Sequence, residues 1–153
     1  MIKYQEILNK NLLKVFIEIL KEIEKNGLLG SNHLYITFQT NNPKTKIPVW
    51  LKKKYPNTMT IVIQHEYYNL SVNKDNFSIG LSFENKKANL IIAFKSILSF
   101  ADPSANFGLN YDFNQINNKL EKNKKYISRN DLKSKNTSNV IEFTKFKKIK
   151  KDN

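Results

Sequence analysis

Five consecutive positions, Gln64-His65-Glu66-Tyr67-Tyr68, gather a carboxamide, an imidazole, a carboxylate and two phenols. By type, His65 and Glu66 could serve as base and acid. Neighbouring residues on an extended chain point to opposite faces, so their adjacency argues against shared proton transfer. Binding suits the cluster better. The Gln64 amide offers two donors and an acceptor, and polar and aromatic side chains at the end of a strand reach a ligand from a rigid base.

A second ingredient lies downstream, where Ser78, Gly80 and Ser82 alternate with Phe77, Ile79, Leu81 and Phe83. Such a strand has one apolar face and one unusually small face. A glycine inside a strand marks either a close approach or a bulge. A small polar face beside aromatic residues can accept an extended peptide whose backbone groups need partners. The expected peptide-binding residues are therefore Gln64, His65, Tyr67, Tyr68, Ser78, Gly80 and Ser82, and no residue is expected to be catalytic.

Other chemistries are poorly represented. His33 and His65 are the two histidines, set at the ends of different strands without carboxylate or thiolate spacing around them, so no metal is expected. The absence of cysteine excludes disulfides and a thiol nucleophile, and fits a reducing cytoplasm. No Gly-x-Ser-x-Gly or dinucleotide fingerprint occurs, and four glycines are too few for a phosphate-cradling loop to be expected. No cofactor is expected. Lys3, Glu6, Lys10, Lys14 and Glu18 interrupt the apolar residues of 1–20, which rules out a signal-peptide core or a membrane span there.

The net charge of +13 is unevenly placed. Residues 114–153 hold 12 Lys and Arg against 4 acids, leaving 14 against 9 for the first 113. The Lys-, Asn- and Ile-rich vocabulary runs through the whole chain, so charge alone is weak evidence for nucleic acid.

The elements that must position the cluster follow from periodicity. From Tyr4 to Asn26, Leu8, Leu12, Val15, Phe16, Ile19 and Ile23 share one helical face, with Leu13 and Leu20 on its flank and Gly27 as C-cap. Its apolar arc spans roughly 160°, wider than the roughly 100° that one core contact needs. Leu12, Val15, Phe16 and Ile19 are accordingly expected near the centre of a homodimer interface, with fuller wrapping by the chain's own domain as the alternative.

Residues 33–40 alternate as a strand, and 59–65 alternate as a second, read as the central strand of a sheet. Trp50 sits in a short turn as a lid over the core, in a loop that could border the site. Residues 67–75 read as a turn or short extension, 84–87 as a hairpin turn, 94–98 as one helical turn and 100–104 as a break before a last strand, 107–111. One helix and about five short strands predict an α+β domain on a small, strongly bent antiparallel barrel or sandwich. After Phe113 the composition is too polar to bury a core and predicts a disordered tail. Val140, Ile141, Phe143, Phe146 and Ile149 then cluster among lysines, the layout of a tethered docking peptide.

Four ordered blocks carry a resemblance. His-Leu-Tyr-Ile-Thr-Phe at 33–38, Lys-Tyr-Pro-x-x-Met-Thr-Ile-Val-Ile-Gln-His at 54–65, Tyr-Tyr-Asn-Leu at 67–70 and Phe-Ala-Asp-Pro-Ser-x-x-Phe-Gly-Leu at 100–109 resemble the stringent starvation protein B family, SspB. The resemblance is closest to its shorter, alphaproteobacterial-type branch, and it reappears in Asn-Val-Ile-Glu-Phe-x-x-Phe-Lys-Lys at 139–148. It implies an Sm-like barrel with an N-terminal helix, and a homodimeric adaptor that binds the ssrA tag and delivers tagged proteins to the ClpXP protease. On that reading 1–113 is the tag-binding and dimerisation domain, 114–138 a flexible linker and 139–153 the docking motif. Val140, Ile141, Phe143, Phe146, Lys147 and Lys148 would contact the ClpX N-terminal domain, and no membrane partner is implied. The competing expectation, drawn from the basic charge and exposed tyrosines, is an RNA-binding small barrel.

Overall fold

The computed structural model describes residues 1–111. The linker at 114–138 and the docking motif at 139–153 lie outside the described residues.

Helix α1 spans Tyr4–Asn26, as the periodicity predicts, and buries Phe16, Leu20 and Ile23. Gly27, at φ 75°, ends it by donating its N–H to the Ile23 carbonyl at 2.8 Å. Strand β1 (Leu34–Gln39) buries Leu34, Ile36 and Phe38 on one face. The short helix α2 (Val49–Lys54) starts after Pro48, whose fixed φ suits a helix start, and anchors itself through buried Leu51. Strands β2 (Thr58–Ile63), β3 (Tyr68–Val72), β4 (Asn76–Phe83) and β5 (Lys86–Ala93) follow. A 3₁₀ turn at Phe94–Ser96 leads into β6 (Ile97–Asp102), and another at Pro103–Ala105 leads into β7 (Phe107–Asn110).

The strands form two antiparallel sheets, a four-stranded one in the order β2-β1-β6-β7 and a three-stranded one in the order β3-β4-β5. The class is α+β, and the described residues hold seven strands where about five were expected. Residues 67–75 contain a strand, and the stretch read as a break at 100–104 begins inside β6. There the Asp102 carboxylate accepts the Ser104 N–H at 3.0 Å, so Asp-Pro-Ser caps a turn at the strand's end. Strand pairing does not run round from one sheet to the other, so closure into a barrel is not shown among the described residues. A correction concerns residues 59–65: β2 lies at the edge of its sheet, while β1 and β6 hold the interior.

The core fills the space between α1 and the inner faces of both sheets. Phe16 is its hub, with ring centroids at 5.0 Å from Phe100 and 6.0 Å from Phe77. Phe16 is fully enclosed in its own chain, so it cannot lie at the centre of a dimer interface. Leu20, expected on the flank, is also fully buried. Tyr111 ties the last strand to the helix by donating its phenol to the Leu12 carbonyl at 2.7 Å, and burial raises that phenol's pKa. The loop 41–47 is pinned by a buried hydroxyl ring, in which Thr45 Oγ1 donates to Ser96 Oγ and accepts the Ala93 N–H. Lys46 and Ile91 exchange backbone hydrogen bonds, extending the edge of β5 by one rung.

Candidate functional site

The edge position of β2 has a consequence for its backbone. Thr40 N–H bonds to the Asn57 carbonyl at 2.9 Å, which sets the phase of the β1–β2 ladder. Hydrogen-bonded pairs alternate along an antiparallel ladder, so Phe38↔Met59, Ile36↔Ile61 and Leu34↔Ile63 exchange bonds. Thr58, Thr60 and Val62 therefore turn their N–H and C=O groups away from β1. Among the described residues no strand pairs with that side of β2. A cleft of about 340 Å³ lies there, lined by Thr60, Ile61, Val62, Gln64, Glu66, Leu81, Ser82 and Phe83. One wall is thus an open strand edge and the other is the last turn of β4.

The β4 wall is held by a hairpin. Glu84 and Asn85 both have positive φ, 51° and 65°, as a two-residue type I′ connection requires. Asn accepts that conformation readily, whereas Glu84 gains an ion pair with Lys54 at the end of α2. The hydrogen bond from Lys54 lowers the Glu84 carboxyl pKa and raises that of the lysine. Trp50 of α2 packs edge-on to Phe83 with centroids at 6.4 Å, and Lys86 stands over the Trp50 ring at 5.4 Å. Trp50 is both a lid on the core and a neighbour of the cleft.

Beside the cleft, Tyr68 pairs with Gly80 across β3 and β4. The register then shifts by one before Ser71↔Ser78, and Asn69 takes a positive φ of 52° within this bulge. The Tyr68 ring lies directly on Gly80. A β-carbon there would fall 2.1 Å from the ring, so only glycine admits it. The small face of β4 is filled by the chain's own tyrosine. Lys87, opposite Ser82 on β5, stands over that ring at 5.7 Å.

The residues expected from sequence divide as follows. Gln64 and Ser82 line the cleft; Tyr68, Ser78 and Gly80 lie on the adjoining sheet face that Ser82 shares. His65 is exposed in the turn after β2, outside the cleft lining, and Tyr67 packs against the core. The cleft-lining Thr60, Ile61, Val62, Leu81 and Phe83 were not anticipated, and Glu66 was noted only as a member of the polar cluster, because which strand lies at an edge is a tertiary property. Leu12 and Ile19 are half-buried and Val15 is 40% exposed on α1. The six docking-motif residues lie outside the described region.

Among the described residues no cluster of three potential metal ligands occurs, and no helix is long and apolar enough to cross a membrane. The family model described as Stringent starvation protein B matches residues 7–151. No curated protein matches the chain.

Proposed function

The chain belongs to the stringent starvation protein B family, a family of adaptors and regulators rather than enzymes, and from that premise we propose that it binds ssrA-tagged proteins and delivers them to the ClpXP protease. The observation that supports this most is the open edge of β2 beside the cleft. An extended tag laid along that edge would exchange backbone bonds with Thr60 and Val62 and set alternate side chains against Leu81, Ser82 and Phe83. Gln64 would serve a peptide group at the end of the cleft, with His65 and Tyr67 framing the turn beyond it. Tyr68, Ser78 and Gly80 would form the adjoining wall.

An Sm-like barrel is our reading of how the two sheets relate, supported by the continuous path from β5 through Phe94–Ser96 into β6. We assign Leu12, Val15 and Ile19 to a homodimer interface. Val140, Ile141, Phe143, Phe146, Lys147 and Lys148 are proposed to dock on the ClpX N-terminal domain in the cytoplasm. The test is titration of a tag peptide into the wild type and Gln64→Ala, which should weaken binding by about 1–3 kcal/mol if the amide pairs with buried peptide groups. Unchanged affinity removes Gln64 from the site. Tight binding of single-stranded RNA that weakens steeply with salt, without tag binding, would favour the RNA-binding reading instead.

A further inference from the structure

Two lysines rest on aromatic rings near the cleft, on opposite faces of β5. Lys87 is the cross-strand neighbour of the cleft-lining Ser82 and rests over Tyr68, while Lys86 is opposite Phe83 and rests over Trp50. Opposed residues on neighbouring strands have β-carbons about 5 Å apart, so the Lys87 ammonium is within one side-chain length of the cleft. The ring beneath each ammonium favours a particular rotamer and lowers the entropy cost of meeting an anion there.

Glu84 is matched by Lys54 and also feels the charge of Lys86. Lys87, on the other face of β5, makes no ion pair with a carboxylate among the described residues. Glu66 is the one carboxylate among the cleft-lining residues. Lys52 and Lys53, both exposed on α2, add further positive charge on the Trp50 side.

We propose that the cleft selects among extended peptides by charge, favouring those that place an aspartate or glutamate beside Ser82, where Lys87 meets it. This rests on the reading that a peptide occupies the cleft. A peptide is the occupant the geometry favours over a nucleic acid for two reasons. The open edge of β2 offers amide and carbonyl groups at strand spacing, which another strand satisfies and a nucleotide chain does not. The rings that would stack on bases are already engaged, Tyr68 with Gly80 and Lys87, and Trp50 with Phe83 and Lys86.

The experiment uses the full chain and a set of fluorescent tag-peptide variants carrying Asp or Asn in turn at each position. Affinities are read by anisotropy at low and high salt. At one or two adjacent positions Asp should bind about twofold to fivefold more tightly than Asn at low salt, the range of a rim ion pair. That preference should shrink as salt rises and collapse in Lys87→Gln, while Lys86→Gln, on the other face of β5, should leave it nearly unchanged. If the peptides bind but no position prefers Asp, or the preference survives Lys87→Gln, the charge selection is wrong while the cleft stands. If no variant binds at all, the cleft reading fails and this inference with it. Displacement of bound peptide by single-stranded oligouridylate at equal concentration would overturn the choice of peptide over nucleic acid.

Discussion

At the scale of single residues, the contact between Tyr68 and Gly80 is the feature on which the site's shape turns. The sequence marked Gly80 as either a close approach or a bulge, and the alternation around it was plain. What approaches was not readable, because the partner is a ring delivered by a bulge at Asn69 on the neighbouring strand. A methyl at position 80 must expel that ring, together with the ammonium of Lys87. Gly80→Ala should therefore destabilise the protein by about 1–2 kcal/mol, the range of a lost aromatic and cation–π contact. In a Tyr68→Ala background the same substitution should be neutral or mildly stabilising, since alanine costs less backbone entropy than glycine. Equal costs in both backgrounds, measured by denaturant unfolding, would mean that the ring is not what reserves the position for glycine.

At the scale of elements, α1 was fully legible and β2 was not. The helix carries its period and its terminal glycine in consecutive residues, and those fix its limits without tertiary help. The faces were harder to separate. Phe16 and Val15 share the broad apolar arc, yet Phe16 is enclosed by Phe100 and Phe77 while Val15 is 40% exposed. Leu12, Val15 and Ile19, spaced i, i+3 and i+7, form the stripe proposed to meet a second copy. Val15→Glu should thus convert a dimer to a folded monomer, because a charge would be buried at the two-fold interface without a partner. Sedimentation at micromolar concentration, with circular dichroism as the folding control, checks this. A wild type that is already monomeric contradicts the assignment. For β2, alternation correctly gave a strand with Met59, Ile61 and Ile63 inward. Neighbour order depends on which distant strands pair, and no local pattern encodes that.

At the scale of the whole molecule, the proposed peptide cleft would be joined to a tail proposed to carry a docking motif. Residues 114–138, taken as the random chain that their composition predicts, would span roughly 25–30 Å and hold bound cargo near the unfoldase. Tethering of this kind raises local concentration to roughly millimolar without any new contact. Truncation before Asn139 should accordingly leave tag affinity intact and abolish accelerated degradation of a tagged reporter at low substrate concentration. Full acceleration by the truncated protein would show that the tail is not the delivery element. Everything upstream depends on a tag completing the sheet at β2. That claim is tested most directly by amide hydrogen exchange at Thr60 and Val62 with and without saturating tag peptide. The account predicts that both amides, which face away from β1, become strongly protected when the tag binds, while Ile61, already bonded to β1, changes little. Tag binding that leaves Thr60 and Val62 exchanging as in the free protein would contradict it.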